Sequence, residues 1–142
     1  MFRTKKGEGM KQTFERMSEF RYQLRRFLRL SEDAALAEGV TPLQYLLLLH
    51  IKGFRGREWA TVGELAERLQ AAPNSVAALV SRCEAAGLVR RWRSNADHRQ
   101  VEVHLRSRGE RCLRKLVGLH QAEVRSLAGV FTALRTAAIA AS

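Results

Sequence analysis

The 142-residue sequence has little cysteine, a deficit of acidic side chains and no long apolar run. Its two cysteines, Cys83 and Cys112, lie far apart, and the sequence shows no secretory signal pattern. We therefore expect no disulfide framework and a reducing, cytoplasmic location. No stretch has the length and apolar content of a membrane-spanning helix. Nucleophile motifs, phosphate-binding loops, metal-ligand spacings and carboxylate pairs are also missing, which predicts a protein that is not an enzyme and holds no metal or other cofactor.

The charge balance is strongly basic. Lysine and arginine number 25 against 14 aspartate and glutamate, which gives a formal net charge of +11 and an isoelectric point near 11.0. This excess favours a polyanionic partner, and nucleic acid is the leading candidate, ahead of an anionic membrane surface. The hydrophobic fraction of 46% is that of an ordinary globular chain, so we expect one domain over residues 1–142, completed by dimerisation.

A long amphipathic helix is predicted in the first part of the chain. From Phe14 onward, apolar residues recur at intervals of three and four, and this pattern ends near Gly39. Arginines occupy the other faces of the helix, where we expect them to be solvated. Residues 1–9 are polar and basic and have no apolar period, so a loose terminus is predicted there.

A second helix is predicted from the capping box formed by Thr41, Pro42 and Gln44. It runs to about Gly53 and is apolar almost all round, a composition that a helix tolerates only when other elements enclose it. We therefore assign this helix to the core. The segment 53–58 that follows is polar and contains glycine, which predicts a loop.

Two short helices joined by a tight connection are predicted next. Thr61 and Glu64 form a second capping box, and the helix that they start ends near Leu69. Pro73 stands at a first helical position, and Gly87 closes the second of these helices. This arrangement is the sequence form of a helix-turn-helix. The predicted buried stripe of its second helix consists of Val76, Leu79, Val80 and Cys83.

The hydrophobic period then changes to two, which predicts a β-hairpin. Residues 101–105 alternate between apolar and polar, as on a strand with one buried face, and residues 88–93 are the expected partner strand. The turn-forming residues 94–99 fit only a hairpin loop. Beyond Ser107 the apolar spacing indicates a helix to near the C-terminus, with breaks or bends expected at Gly118 and Gly129. The predicted fold class is mainly α with a small β-hairpin wing, a winged helix-turn-helix.

The outward face of the second short helix predicts contact with DNA. Its residues are small or polar, which lets the helix backbone approach the floor of the major groove. Asn74 can pair bidentately with adenine, while Ser75 and Ser81 can reach bases or phosphates. A merely solvated face is the alternative interpretation.

The hairpin favours the DNA-binding interpretation because it carries a cluster of arginines, whose guanidinium groups pair well with phosphates. A charged, solvated edge strand is the alternative, but an unbalanced positive excess is better explained by DNA. At the wing tip, Arg99 is expected to enter the minor groove, and Asp97 to position it or to stabilise the turn. The clustered arginines are Arg90, Arg91, Arg93 and Arg99.

This order of elements, with the segments LAERL, LVSRCEAAGLVRR and DHRQVEVHL, resembles the MarR family of bacterial transcription regulators over nearly the whole chain. The resemblance implies a homodimer that binds a pseudo-palindromic operator through two winged helices, as a repressor that a small ligand releases. It implies dimerisation through residues 10–40 and 107–142 and DNA binding through residues 41–106. The residues that would bind a ligand do not follow from it.

The resemblance also assigns individual positions to DNA contact. Ala77 and Ala78 depart from the family, which commonly has hydroxyl or basic side chains there, so base readout is expected to be sparse and to depend on Asn74 and DNA shape. Arg106 stands where the family commonly has a threonine that caps the next helix. The recognition-helix positions are Pro73, Asn74, Ser75, Ala77, Ala78, Ser81 and Arg82, and the wing positions are Arg90, Arg91, Arg93, Asp97, His98 and Arg99.

Other functional classes are weaker alternatives. The alanines of the outward face favour either a winged-helix module that binds nucleic acid with little sequence preference or a protein-interaction adaptor. A membrane-associated basic protein is disfavoured because the apolar residues are already assigned to packing.

The cysteines and tryptophans have structural interpretations. Cys83 is interpreted as a small hydrophobic core residue because it lies on the predicted buried stripe. Cys112 is also interpreted as structural, although the neighbouring Arg111 and Arg114 are of the charge that lowers a thiol pKa. The two tryptophans are interpreted as bounding a small core.

Overall fold

The computed structural model describes residues 2–94 and 99–141, which form five α-helices and one three-stranded sheet. The order of elements is the one expected from the sequence, with one additional strand. The helices are α1 Phe2–Ala37, α2 Pro42–Lys52, α3 Val62–Leu69, α4 Pro73–Ala85 and α5 Ser107–Ala141, and the strands are β1 Trp59–Thr61, β2 Val89–Arg93 and β3 Val101–Leu105.

Helix α1 begins at Phe2, so the prediction of a loose terminus up to Gly9 is wrong. No proline interrupts this segment, and each of its glycines costs a helix only about 1 kcal/mol, which the cooperative extension of a long helix overcomes. Helix α5 is likewise continuous through Gly118 and Gly129, and neither glycine breaks it.

Both predicted capping boxes are present. The Thr41 hydroxyl accepts a hydrogen bond from the Gln44 amide at 3.1 Å, and the Gln44 side chain accepts one from the Thr41 amide at 2.9 Å. Thr61 and Glu64 form the same pair of bonds at 3.2 and 3.0 Å. These bonds satisfy N–H groups that the first turn of a helix leaves without partners, which is why α2 and α3 begin where the sequence indicates.

The sheet is antiparallel, with the strand order β1-β3-β2, and the predicted hairpin is confirmed. Strand β1 is the one strand that the sequence does not predict. Its three residues are too few to show a period of two, and they lie between the predicted loop and the capping box of α3. Because β1 pairs with β3, the second hairpin strand is the centre of the sheet and not its edge. Glu102, expected on an exposed face, is consequently only 9% exposed.

The chain forms two compact units, a terminal unit of Met1–Asp33 with Leu119–Ser142 and a central unit of Ala34–Gly118. The hydrophobic core lies in the central unit and encloses α2 as predicted, with Leu47, Leu48 and Ile51 fully buried. Within the described residues, no single helix is long and apolar enough to cross a membrane; α1 and α2 pass such a test only as a bent pair, and α2 is the buried core helix. Among residues 2–94 and 99–141, no three histidine, cysteine, aspartate or glutamate side chains lie close enough together to hold a metal ion.

Both cysteines are free thiols. Cys83 is buried, and burial raises the pKa of its thiol to about 11. Burial, together with the charge of Glu38, also raises the pKa of Cys112, so the lowering expected from Arg111 and Arg114 is not found. A thiol with a raised pKa is a poor nucleophile, which agrees with the structural interpretation of both residues.

The Glu64 carboxylate joins the α3 capping box to Arg57. Burial, the largest single contribution, raises the pKa of Glu64, but hydrogen bonds from Thr61 and Arg57 together bring it below its ordinary value of 4.5. Because the folded-state pKa is lower than the unfolded one, the ionised carboxylate stabilises the fold above the unfolded pKa. That contribution is lost as the pH falls through the lower, folded-state pKa.

We expect Glu64→Gln to lower the free energy of unfolding by about 0.5–1 kcal/mol at neutral pH and to flatten its decline in acid. Glutamine keeps the capping hydrogen bond, as Gln44 does in α2, and loses only the ion pair with Arg57. Urea denaturation at neutral and acidic pH measures both effects, with Glu67→Gln as a control for an exposed carboxylate of the same helix. An equal loss at the two pH values would show that the charge of Glu64 is unimportant.

Candidate nucleic-acid interface

Helix α4 exposes the face that the sequence assigns to DNA. The predicted stripe of four apolar residues is buried in the core of the central unit. The opposite face carries short side chains, which permit close approach to a groove. Among the assigned recognition-helix positions, Ala77 is half-buried and the exposed ones are Pro73, Asn74, Ser75, Ala78, Ser81 and Arg82.

The N-terminus of α4 has no side-chain cap. Ala72 occupies the N-cap position, and Pro73 takes the first helical position. The N–H groups of a helix's first turn and its dipole favour a negative charge, such as a DNA phosphate. The Asn74 carboxamide oxygen accepts a hydrogen bond from the Ser75 amide at 3.0 Å, so a bidentate contact with adenine would replace this local bond.

Two of the assigned contact residues, Ser81 and Arg91, are hydrogen-bonded to each other. Arg91 Nη1 donates to Ser81 Oγ at 3.0 Å, and Nη2 donates to the Ala77 carbonyl oxygen at 2.7 Å. Ser81 Oγ donates to the same carbonyl at 3.1 Å, and the Arg91 amide donates to Glu84 Oε2 at 2.9 Å. The structure thus brings Ala77, Ser81 and Arg91 together, although the sequence interpretation treated them as separate contacts to DNA.

The other wing arginines are exposed. Arg90 and Arg93 lie on β2, which packs beside α4, and Arg99 lies just before β3. The hairpin pairing continues beyond the strands, since the Ser94 amide donates to the Gln100 carbonyl at 3.0 Å. These three arginines add exposed positive charge to the hairpin that follows α4. The remaining wing-tip assignments, Asp97 and His98, lie outside the described residues.

The outer face of the sheet carries a stack of aromatic and cationic side chains that the sequence analysis missed. The Arg57 guanidinium lies 4.3 Å from the centre of the Phe54 ring and 3.8 Å from that of the Trp59 ring. The His104 ring is stacked with both tryptophans, its centre 6.0 Å from that of Trp59 and 3.4 Å from that of Trp92. One side chain from each strand therefore joins the stack, which ties the wing to β1.

Polar groups complete this stack on the wing side. His104 Nε2 lies 3.0 Å from Glu102 Oε1, and the Arg90 guanidinium lies 5.6 Å from the centre of the Trp92 ring. Stacked rings and cation–π contacts of this kind each stabilise a fold by about 0.5–1.5 kcal/mol. The alternating pattern of β3 predicts that Glu102 and His104 share a face. It does not predict that Trp59 lies beside them, because the sequence does not reveal β1 or its pairing with β3.

The start of α5 is joined to the start of the wing. The Arg106 amide donates to the Leu88 carbonyl at 2.9 Å, and Arg108 Nη1 donates to the Ala86 carbonyl at 3.0 Å. Gly109 approaches the Leu88 carbonyl so closely that a Cβ would lie 2.2 Å from its oxygen. No local pattern marks this constraint, because a glycine inside a helix normally indicates only a weaker helix.

Known proteins resemble this chain over most of its length. Residues 38–100 match the model of the MarR family. A MarR family protein from Bacillus stearothermophilus is 26% identical, with a TM-score of 0.70 over 85% of this chain and 80% of that one. A transcriptional regulator from Thermotoga maritima is 25% identical, with a TM-score of 0.63 over 83% and 80%. A MepR variant from S. aureus, bound to an oligodeoxyribonucleotide, shares the fold at 17% identity and a TM-score of 0.65 over 80% and 81%. Comparison with curated proteins finds no significant match.

Proposed function

We propose that this chain, a member of the MarR family of DNA-binding transcription regulators, represses transcription by binding a pseudo-palindromic operator as a homodimer. The observation that carries the proposal is the exposure of the α4 face and of three arginines on the hairpin that follows α4, within the segment that matches the family. Residues 41–106 bind DNA, and residues 10–40 with 107–142 form the dimer. In this proposal the protein acts in a bacterial cytoplasm, and a small ligand releases it from the operator.

In the proposed complex, α4 enters the major groove and the wing reaches the adjacent minor groove. Asn74 reads a base edge near the N-terminus of the helix. Arg90 and Arg93 pair with phosphates, while Arg99 enters the minor groove. The MepR variant, which has the same fold, is bound to an oligodeoxyribonucleotide, and this supports DNA as the partner.

The terminal unit supports the dimer because it exposes large apolar side chains. Phe20 and Phe131 already pack edge-to-face inside this unit, with ring centres 4.9 Å apart. Apolar side chains that remain exposed beside such a contact are typical of an interface with another chain. These exposed side chains are Met10, Phe14, Met17, Tyr22, Leu28, Leu30, Leu119, Val124 and Phe131.

We expect Phe14→Glu to convert the dimer into monomers at micromolar concentration. Phe14 is 61% exposed, and a carboxylate in its place would be desolvated in the interface. Sedimentation velocity measures the change. Gln12→Glu adds the same charge to an exposed position on the opposite side of α1 and should leave the dimer intact. If both variants dissociate, the cause is a general effect of charge. If neither dissociates, the dimer interface lies elsewhere.

Selection of bound duplexes from a random pool, followed by footprinting, tests the whole proposal. We expect one enriched pseudo-palindrome, protected over two half-sites about one helical turn apart, with an affinity that falls steeply with salt. Equal binding to selected and random duplexes would instead support the module with little sequence preference. The absence of DNA binding would favour the protein-interaction adaptor.

A further inference from the structure

We propose that Arg91 is a positioning residue that holds the wing against the recognition helix, and that it does not itself contact DNA. The proposal rests on the proposed function, because it concerns the geometry of the DNA-binding surface. Arg91 differs from the other wing arginines in being half-buried. It pairs with Val103 and lies on the same face of β2 as the buried Val89, the side from which the core elements approach.

The hydrogen bonds of Arg91 all end on α4. Its two terminal guanidinium nitrogens donate to the Ala77 carbonyl at 2.7 Å and to Ser81 Oγ at 3.0 Å. These acceptors are four residues apart and therefore lie one above the other on the same side of the helix. The Arg91 amide is tied to Glu84 on the following turn at 2.9 Å. One residue of the wing is thus attached to two successive turns of the recognition helix.

The planar guanidinium is the side chain that suits this role. Its donors have a fixed separation and can bind two acceptors at once, whereas a lysine ammonium is a single point charge on a flexible stem. Ser81 Oγ also donates to the Ala77 carbonyl at 3.1 Å, so the three groups form a closed set of hydrogen bonds. The small side chain of Ala77, which departs from the family pattern, stands beside the carbonyl that the guanidinium reaches.

The hydrogen bonds distinguish a brace, meaning a residue that holds the wing against α4, from a residue that binds a DNA phosphate. A phosphate-binding arginine directs its fork outward, and its loss removes one charge contact. Both terminal nitrogens of Arg91 instead donate to groups on α4. Loss of this side chain should therefore free the wing from α4 and weaken the DNA contacts of the other wing residues. The effects of Arg91 and Arg99 on affinity should therefore be coupled, while those of Arg90 and Arg99 should be additive.

The test measures the affinity of the full chain for its selected duplex in two double-mutant cycles. Arg91→Met is expected to weaken binding about tenfold and to remove most of the further loss caused by Arg99→Ala. Arg90→Met is the matched control, and its effect should add to that of Arg99→Ala. Arg91→Lys separates the two roles, because lysine also binds phosphate: it should behave like Arg91→Met if Arg91 is a brace, and like the wild type if Arg91 contacts DNA. Additive effects with Arg99→Ala, or full rescue by lysine, would overturn the proposal.

Amide hydrogen exchange without DNA keeps the inference separate from the proposed function. Exchange at the β2 amides should accelerate in Arg91→Met and, to a lesser degree, in Ser81→Ala, which removes only one acceptor. It should accelerate less in Arg90→Met than in Arg91→Met, because Arg90→Met keeps the hydrogen bonds between Arg91 and α4 and loses the contact of Arg90 with the Trp92 ring. If the wild type selects no duplex, the proposed function fails, and exchange alone decides whether Arg91 braces the wing. Unchanged exchange in both Arg91→Met and Ser81→Ala would overturn the brace whatever the DNA result.

Discussion

Replacing Gly109 with alanine is expected to lower the free energy of unfolding by about 3 kcal/mol. The added Cβ would lie 2.2 Å from the Leu88 carbonyl oxygen and 3.0 Å from its carbonyl carbon. Both are backbone atoms, which cannot rotate away as the end of a side chain can. The start of α5 or the start of the wing must therefore shift, and the shift also disturbs the hydrogen bond between the Arg106 amide and Leu88.

Gly118→Ala is the matched control for this substitution. It adds the same methyl group to the same helix at an exposed position, where the new Cβ would meet nothing within 4 Å beyond its chain neighbours and its own helix backbone. We therefore expect it to raise the free energy of unfolding by about 0.4–1 kcal/mol. Urea denaturation, followed by tryptophan fluorescence and by circular dichroism, measures both variants. If the two alanines proved equally stabilising, the close contact between Gly109 and Leu88 would not constrain the fold.

The contact at Gly109 also has a functional consequence. The first turn of α5 contacts the residues just before β2, where hydrogen bonds join Arg106 to Leu88 and Arg108 to Ala86. We therefore expect a displacement of the first turn of α5 to displace the start of β2 as well. Under conditions in which both variants are fully folded, Gly109→Ala should bind DNA more weakly than Gly118→Ala.

The predictions that succeeded depend on information that is local in the sequence. A capping box such as that of Thr61 and Glu64 is complete within four residues, and the period of α4 is complete within three turns. The hairpin was found in the same way, from its change of period and its loop. For this reason the starts of α2, α3 and α4, the buried stripe and the pairing of β2 with β3 agree with the structure.

Three features that the sequence did not reveal depend on contacts between distant residues. Trp59 shows no strand pattern of its own and becomes a strand residue only because it pairs opposite His104. Arg91 looks like its neighbours in sequence, and only the approach of α4 to β2 separates its role from that of Arg90. Gly109 is constrained by Leu88, which lies in a different element. Local patterns therefore located the candidate interface, but they could not assign roles among its arginines or find what braces it.

Removing the Arg99 side chain is expected to weaken binding to every duplex, whereas removing that of Asn74 is expected to change which duplex is preferred. In the proposed complex Arg99 lies in the minor groove, so Arg99→Ala should lower affinity about tenfold and reduce the slope of log affinity against log salt by about 1. Asn74→Ala should remove the proposed bidentate contact, which would be worth about 1–3 kcal/mol on sequences with adenine at the contacted position and little on others.

Binding of both variants to the selected operator and to its single-base variants, over a range of salt, separates these effects. Gln100→Ala is the control, because it truncates an exposed, uncharged neighbour of Arg99 whose backbone carbonyl, not its side chain, holds the hairpin. It should leave both affinity and preference unchanged. In the proposed base contact Asn74 would give up its hydrogen bond with the Ser75 amide, so its net contribution should fall in the lower half of the stated range. A change of sequence preference in Arg99→Ala, or a uniform loss in Asn74→Ala, would mean that the wing reads the sequence and the helix does not.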